Sequence, residues 1–169
     1  MHPTQNTDVW ILPFEGEATP RPLIATEHME GFVSPSPDGR WFAYMSSKTG
    51  RIEVFVRPLP EEDNREWQVS HNGGEMVRWS PQGDEIFYRD GNRLMAVPVS
   101  AEPGFSAGTP HVVFETDFFN CHGPSFDVSP DGQRFLVLKP VTAGEPITEI
   151  QVVVNWFEEL KEKMREAGQ

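Results

Sequence analysis

The sequence predicts an all-β fold built from repeated small antiparallel sheets, and three observations lead there. A Ser-Pro turn recurs at Ser36, Ser80 and Ser129, at intervals of 44 and 49 residues. Each turn is followed by a short run that is apolar on both of its alternating faces, as in "WFAYM" from Trp41. Each full interval also holds about four strand-like segments separated by turn residues. A lone β-hairpin shows one face to water, so strands that are apolar on both faces need a covering sheet on each side. Four antiparallel strands per unit at this spacing is the pattern of a β-propeller, where each sheet, or blade, is covered by the next. A β-sandwich, the competing arrangement, has no need of the same turn three times at blade-like intervals.

The turns carry their own chemistry. In Ser36-Pro37-Asp38-Gly39, Pro37 pre-sets φ, Asp38 can hydrogen-bond nearby backbone, and Gly39 takes positive φ without a Cβ clash. Pro130, Asp131 and Gly132 repeat the pattern, and Pro81 and Gly83 keep it around Gln82, which stands where the other turns have Asp. The first full unit is expected to hold strands at 31–35, 41–46, 52–57 and 66–70, and the second at 75–79, 85–89, 93–99 and 111–115. A third has only 124–128, 134–139 and 149–155, and the chain opens with two strands, 8–14 and 21–25, that look like the last two of a unit. The expected organisation is therefore a half blade 8–25, a blade 31–70, a blade 75–115 and a partial blade 124–154, about three blade equivalents in all.

Residues 155–169 are expected to form an amphipathic α-helix. Trp156, Leu160 and Met164 fall on one stripe, Asn155 and Glu158 suit its N-terminal cap, and Gly168 supplies a stop.

Composition bounds the function. A chain of 169 residues can bury about 70% of its unfolded surface, and 12 Phe and five Trp exclude a disordered chain despite a net charge of -12. The excess of 26 acidic over 14 basic residues opposes nucleic acid as a partner, because phosphate binding needs a basic surface. Cys121 is the single cysteine, so an internal disulfide and Cys-rich zinc patterns are both excluded. Neither a basic, apolar leader nor an 18-residue apolar run is present, so the sequence as written reads as cytoplasmic and not membrane-bound. A periplasmic or extracellular place is expected if it is the tail of a larger protein.

The Ser-Pro-Asp-Gly turn followed by "RWFAYMS" and "RIEVFVRPL" resembles the repeat of TolB-type propellers, and "VVVNWFEELK" is similar to the way many bacterial propellers of that group end. The resemblance covers essentially the whole chain. It implies a non-catalytic module that binds a protein, peptide or small ligand. The other role it implies is the propeller part of a larger prolyl oligopeptidase-like hydrolase or receptor kinase whose catalytic segment lies elsewhere.

Apparent catalytic motifs do not hold up. "GFSAG", Gly104 to Gly108, matches a nucleophile-elbow pattern in its letters, and Asp117 and His122 follow in hydrolase order. The motif needs a strand before it and a helix after it. Pro110 and the β-branched run beyond it oppose the helix, which places Ser106 in a loop between two strands. Cys121 and His122 are adjacent, and on a strand adjacent side chains point to opposite faces. His2, His28, His71 and His111 show no ligand spacing. No catalytic, metal or cofactor residue is assigned.

The two partial units are complementary, and this sets an expectation for assembly. Open ends would expose Trp10, Ile11 and Leu12 on one side and Phe135, Leu136 and Val137 on the other. A homodimer in which each chain completes the other's last blade would close a six-bladed ring.

Overall fold

A computed structural model describes residues 7–12, 19–59, 65–102, 104–120, 123–141 and the strand 152–154. These residues form 14 strands in four antiparallel sheets and no helix. The first sheet pairs β1 (Val9–Ile11) with β2 (Arg21–Ile24). The second has the order β3 (Glu30–Pro35), β4 (Trp41–Ser46), β5 (Glu53–Pro58), β6 (Trp67–Gln68). The third runs β7 (Glu75–Trp79), β8 (Glu85–Asp90), β9 (Arg93–Ser100), with both β10 (Ser106–Ala107) and β11 (His111–Glu115) paired to β9. The fourth joins β12 (Phe126–Val128), β13 (Arg134–Val137) and β14 (Val152–Val154). The expected helix over 155–169 lies outside the described residues.

Three hydrophobic cores fill the three junctions between successive sheets, which is why the middle strands are apolar on both faces. Val9 and Ile24 meet Phe42, Tyr44 and Phe55 at the first junction. Ala43, Val54, Val56 and Val69 meet Val77, Trp79, Ile86, Tyr88 and Val97 at the second. Phe87, Leu94, Ala96 and Phe118 meet Phe126 and Phe135 at the third. Strand alternation divides the work within each sheet: Phe42 and Tyr44 look back to the first sheet while Ala43 looks forward to the third. This sheet-upon-sheet series is a propeller-like fold.

Alternation also changes the picture of the chain's two ends. Phe135 is fully buried against the third sheet, and Val137 packs against the same core. Of the three β13 residues expected at an open end, only Leu136 is exposed, at 53%, joined by Leu138 at 51%. At the other end Val9 faces the second sheet, Ile11 is half-buried, and Trp10 and Leu12 are exposed. An apolar run of three on a strand splits between two faces, so it supplies only one or two residues to either.

Two further departures are local. Residues 106–107, expected in a loop, add a two-residue strand to β9. Phe32 and Met76 adopt left-handed backbone with φ of +46 and +56. They stand at the same place in the first strands of two successive sheets, each four residues before its turn serine, and the β3–β4 and β7–β8 registers both shift there. Such a conformation costs a non-glycine residue about 1–3 kcal/mol, so the packing around both must hold it.

Candidate binding surface between the turns

The three Ser-Pro turns share one hydrogen-bond pattern. The serine carbonyl accepts from the glycine three residues on: Gly39 to Ser36 at 2.9 Å, Gly83 to Ser80 at 3.0 Å, Gly132 to Ser129 at 2.8 Å. The serine hydroxyl accepts from the residue that opens the next strand, Trp41 at 3.0 Å, Glu85 at 3.1 Å and Arg134 at 3.0 Å. All three glycines are left-handed, with φ of +70, +79 and +69, a region where only glycine avoids a Cβ penalty.

In the first and third turns the aspartate locks the turn. Asp38 accepts from the Ser36 hydroxyl at 2.6 Å and the Arg40 amide at 3.0 Å, and pairs with the Arg40 guanidinium at 2.8 Å. Asp131 makes the same set with Ser129, Gln133 and Arg134. The serine hydroxyl is the largest cause, followed by the backbone amide, and together they hold each carboxyl at about 2. In the second turn Asp84 accepts from the Ser80 hydroxyl instead, at 2.9 Å. Gln82 is thereby released from its own turn, and its Nε2 donates to the carbonyl of Asp131 at 3.1 Å.

The turns abut in series along one rim. Pro37 sits against Gly83, where a Cβ would lie 3.7 Å from the proline ring, and Gln82 lies against Gly132, where a Cβ would collide with its amide. Between the first and second turns is a cavity of about 200 Å³ lined by Ser36, Pro37, Asp38, Trp79, Gln82, Gly83 and Ala101. Arg40 bridges Asp38 and Glu102 beside it, the latter at 2.8 Å. The first strands of successive sheets are tied together by the Trp79 backbone N–H donating to Ser34 Oγ at 2.9 Å and by Arg78 pairing with Asp127 at 3.2 Å.

Other polar clusters serve the framework. Buried Glu53 accepts from Ser70 and from the Gly73 amide and pairs with Arg51 at 2.7 Å. Buried Arg89 donates to Gly91 O at 2.7 Å and to Asn120 and Ser125, and lies over the Phe118 ring. Both hold loops against sheets.

The hydrolase-like residues do not converge. Ser106 pairs with Ser100 at one end of β9, while Asp117 accepts from Asn92 just before the other end, which separates them by roughly 25 Å at about 3.3 Å per strand residue. Cys121, His122 and His2 lie outside the described residues. Among the described residues, no three His, Cys, Asp or Glu side chains are grouped to hold a metal ion. Sequence reasoning missed Trp79 and Ala101 as neighbours of the turns. Trp79 directly precedes the second turn, but only the stacking of one sheet on the next brings it and Ala101 up to the first.

The geometry defines a TolB-like propeller fold, and comparison with solved structures places the chain beside such proteins. It is similar to a TolB-assigned protein from Agrobacterium tumefaciens, with a TM-score of 0.59 and 16% identity over 86% of this chain and 50% of that one. TolB from Acinetobacter baumannii also matches, with a TM-score of 0.36 and 13% identity over 86% of this chain and 47% of that one. The chain thus spans about half the length of each. No protein-family model matches it, and no curated protein does.

Proposed function

We propose that the chain is a non-catalytic propeller module that binds a protein or peptide on the rim formed by its turns. The observation that carries this reading is the concave space of about 200 Å³ between the first two turns, set in a rim fixed by hydrogen bonds. Binding residues on loops held by a rigid sheet scaffold are the usual arrangement. A peptide array probed with the purified chain tests it. Saturable binding to a subset of peptides, without their cleavage, is the expected result. Cleavage of the peptides, or no saturable binding, would overturn it.

We also propose a second copy of the chain as a partner. One end presents Trp10 and Leu12, the other Leu136 and Leu138, all more than half exposed. The inner junctions indicate what such faces accept: a forward-looking residue such as Phe87 is covered by the next sheet's Phe135. The chain spans about half the length of the Agrobacterium protein, and a second copy would supply strands for the rest of a closed ring.

A further inference from the structure

Successive turns meet differently at two junctions of the rim. Between the second and third turns the chain supplies its own N–H donor: the Gln82 carboxamide lies over Gly132 and donates to the carbonyl of Asp131 at 3.1 Å. Between the first and second turns Asp38 stands at the place of Gln82, one methylene shorter and with its oxygens held by Ser36 and Arg40. What the first turn sets against Gly83 is the ring of Pro37, and the cavity of about 200 Å³ stays open.

The polar groups around this cavity are acceptors that solvent reaches. The three turns share one bond pattern and one glycine conformation, so the counterpart of the Asp131 carbonyl is that of exposed Gln82, presented to the first turn as Asp131 O is presented to the second. The turn's own bond runs from the Gly83 N–H to Ser80 O and does not use it. At the mouth, Asp38 and Glu102 share a single cation, Arg40, at 2.8 Å from each. Their side chains are 39% and 75% exposed. Two carboxylates against one guanidinium leave one negative charge over, in a chain whose net charge is -12.

We propose that this cavity binds the cationic end of a lysine or arginine side chain in a peptide partner, its N–H donating to the Gln82 carbonyl and its charge set beside Asp38 and Glu102. The ligand's methylenes lie along the ring of Pro37 and the Ala101 methyl, which form the apolar part of the lining. A carboxylate has no proton to donate and is repelled at the mouth. A neutral amide can donate as Gln82 does, but it leaves the surplus carboxylate charge unpaired. Interactions between exposed charges are modest, so the preference for a cation over a neutral donor is several-fold, not absolute. The proposal names the ligand class for the rim-binding module and rests on that reading.

Butylammonium and propylguanidinium, the side-chain ends of lysine and arginine, are the probes, each titrated into the ¹⁵N-labelled full chain while the Gly83 backbone amide is followed by NMR. A saturable shift is expected, at an affinity on the order of millimolar for fragments of this size, and the tighter of the two names the residue. Butyramide is expected to bind at least threefold more weakly, and butyrate not to saturate. Glu102→Gln should weaken both cations about threefold and leave butyramide unchanged. Ala101→Leu should fill the cavity and abolish the titration at unchanged net charge, which separates a site from the general attraction of an acidic chain. No saturable shift, butyramide binding as tightly as the cations, or a Gly83 shift that survives Ala101→Leu overturns the proposal, and the wild-type comparison decides it whether or not the variants fold. A silent Gly83 together with saturable binding on the peptide array removes the cation site and leaves the module reading standing.

Discussion

The ring of Phe135 meets that of Phe87 edge-on, with centroids 4.9 Å apart and planes at 85°, and this pair closes the junction between the third and fourth sheets. Its neighbour Leu136 points the other way and is 53% exposed. Adjacent residues of one strand therefore have opposite roles. Phe135→Ala is expected to destabilise the fold by about 3–5 kcal/mol, the range for truncating a fully buried aromatic. Leu136→Ala is expected to cost less than about 0.5 kcal/mol in a monomer. Urea denaturation at low protein concentration checks both, and equal losses would contradict the assignment of faces.

Gln82 looks like a lapse in the repeat, since the other two turns have Asp at that place, but the structure gives it a separate task. Asp84 has taken over the Ser80 hydroxyl, and Gln82 joins the second turn to the third. Restoring the repeat with Gln82→Asp is therefore expected to destabilise the protein, by about 0.5–1.5 kcal/mol for a lost net hydrogen bond. A urea midpoint at or above that of the wild type would show that Asp84 does not substitute for the missing aspartate.

The turns, the strand order and the two-sided burial were legible because each follows from local letters: Pro and Gly punctuate, and a run such as Trp41 to Met45 has no polar face. What was illegible depends on neighbours far away in sequence. The left-handed Phe32 and Met76 carry none of the Gly or Asn that advertises positive φ, because sheet packing overrides their preference. Ser106–Ala107 pairs with β9 although it sits between Gly104 and Gly108, too short a segment to show any alternation. Of the candidate site, the turn residues could be named in advance. Trp79 could not, since it comes to line the cavity only once the third sheet is stacked on the second.

Acid should weaken the turns over a defined range. Asp38 and Asp131 are each lowered from 3.8 to about 2, first by the serine hydroxyl and then by a backbone amide. A depressed folded-state pKa contributes stability that is fully present above the unfolded value, near pH 4, and is lost as pH falls toward 2. Stability measured by urea at pH 5 and pH 3 should therefore fall less steeply in the Asp38→Asn, Asp131→Asn double variant than in the wild type. Parallel pH profiles would show that these carboxylates titrate as they do in the unfolded chain.

The end faces give the last prediction. Trp10, Leu12, Leu136 and Leu138 are between 51% and 63% exposed, and they fall in two patches that look in opposite directions along the series of sheets. A backward-looking face can meet only a forward-looking one, because that is the geometry of all three inner junctions. Two copies related by a two-fold axis satisfy both faces at once. Static light scattering on the purified chain is expected to give twice 19.1 kDa. Leu136→Asp places a charge within one patch, and Trp10→Asp does so within the other, so either is expected to yield a monomer by breaking both copies of the same contact. The two variants should retain the wild-type circular dichroism spectrum, since neither side chain lies in a core. A wild-type monomer at micromolar concentration, or a dimer indifferent to both substitutions, would show that these faces do not join two copies.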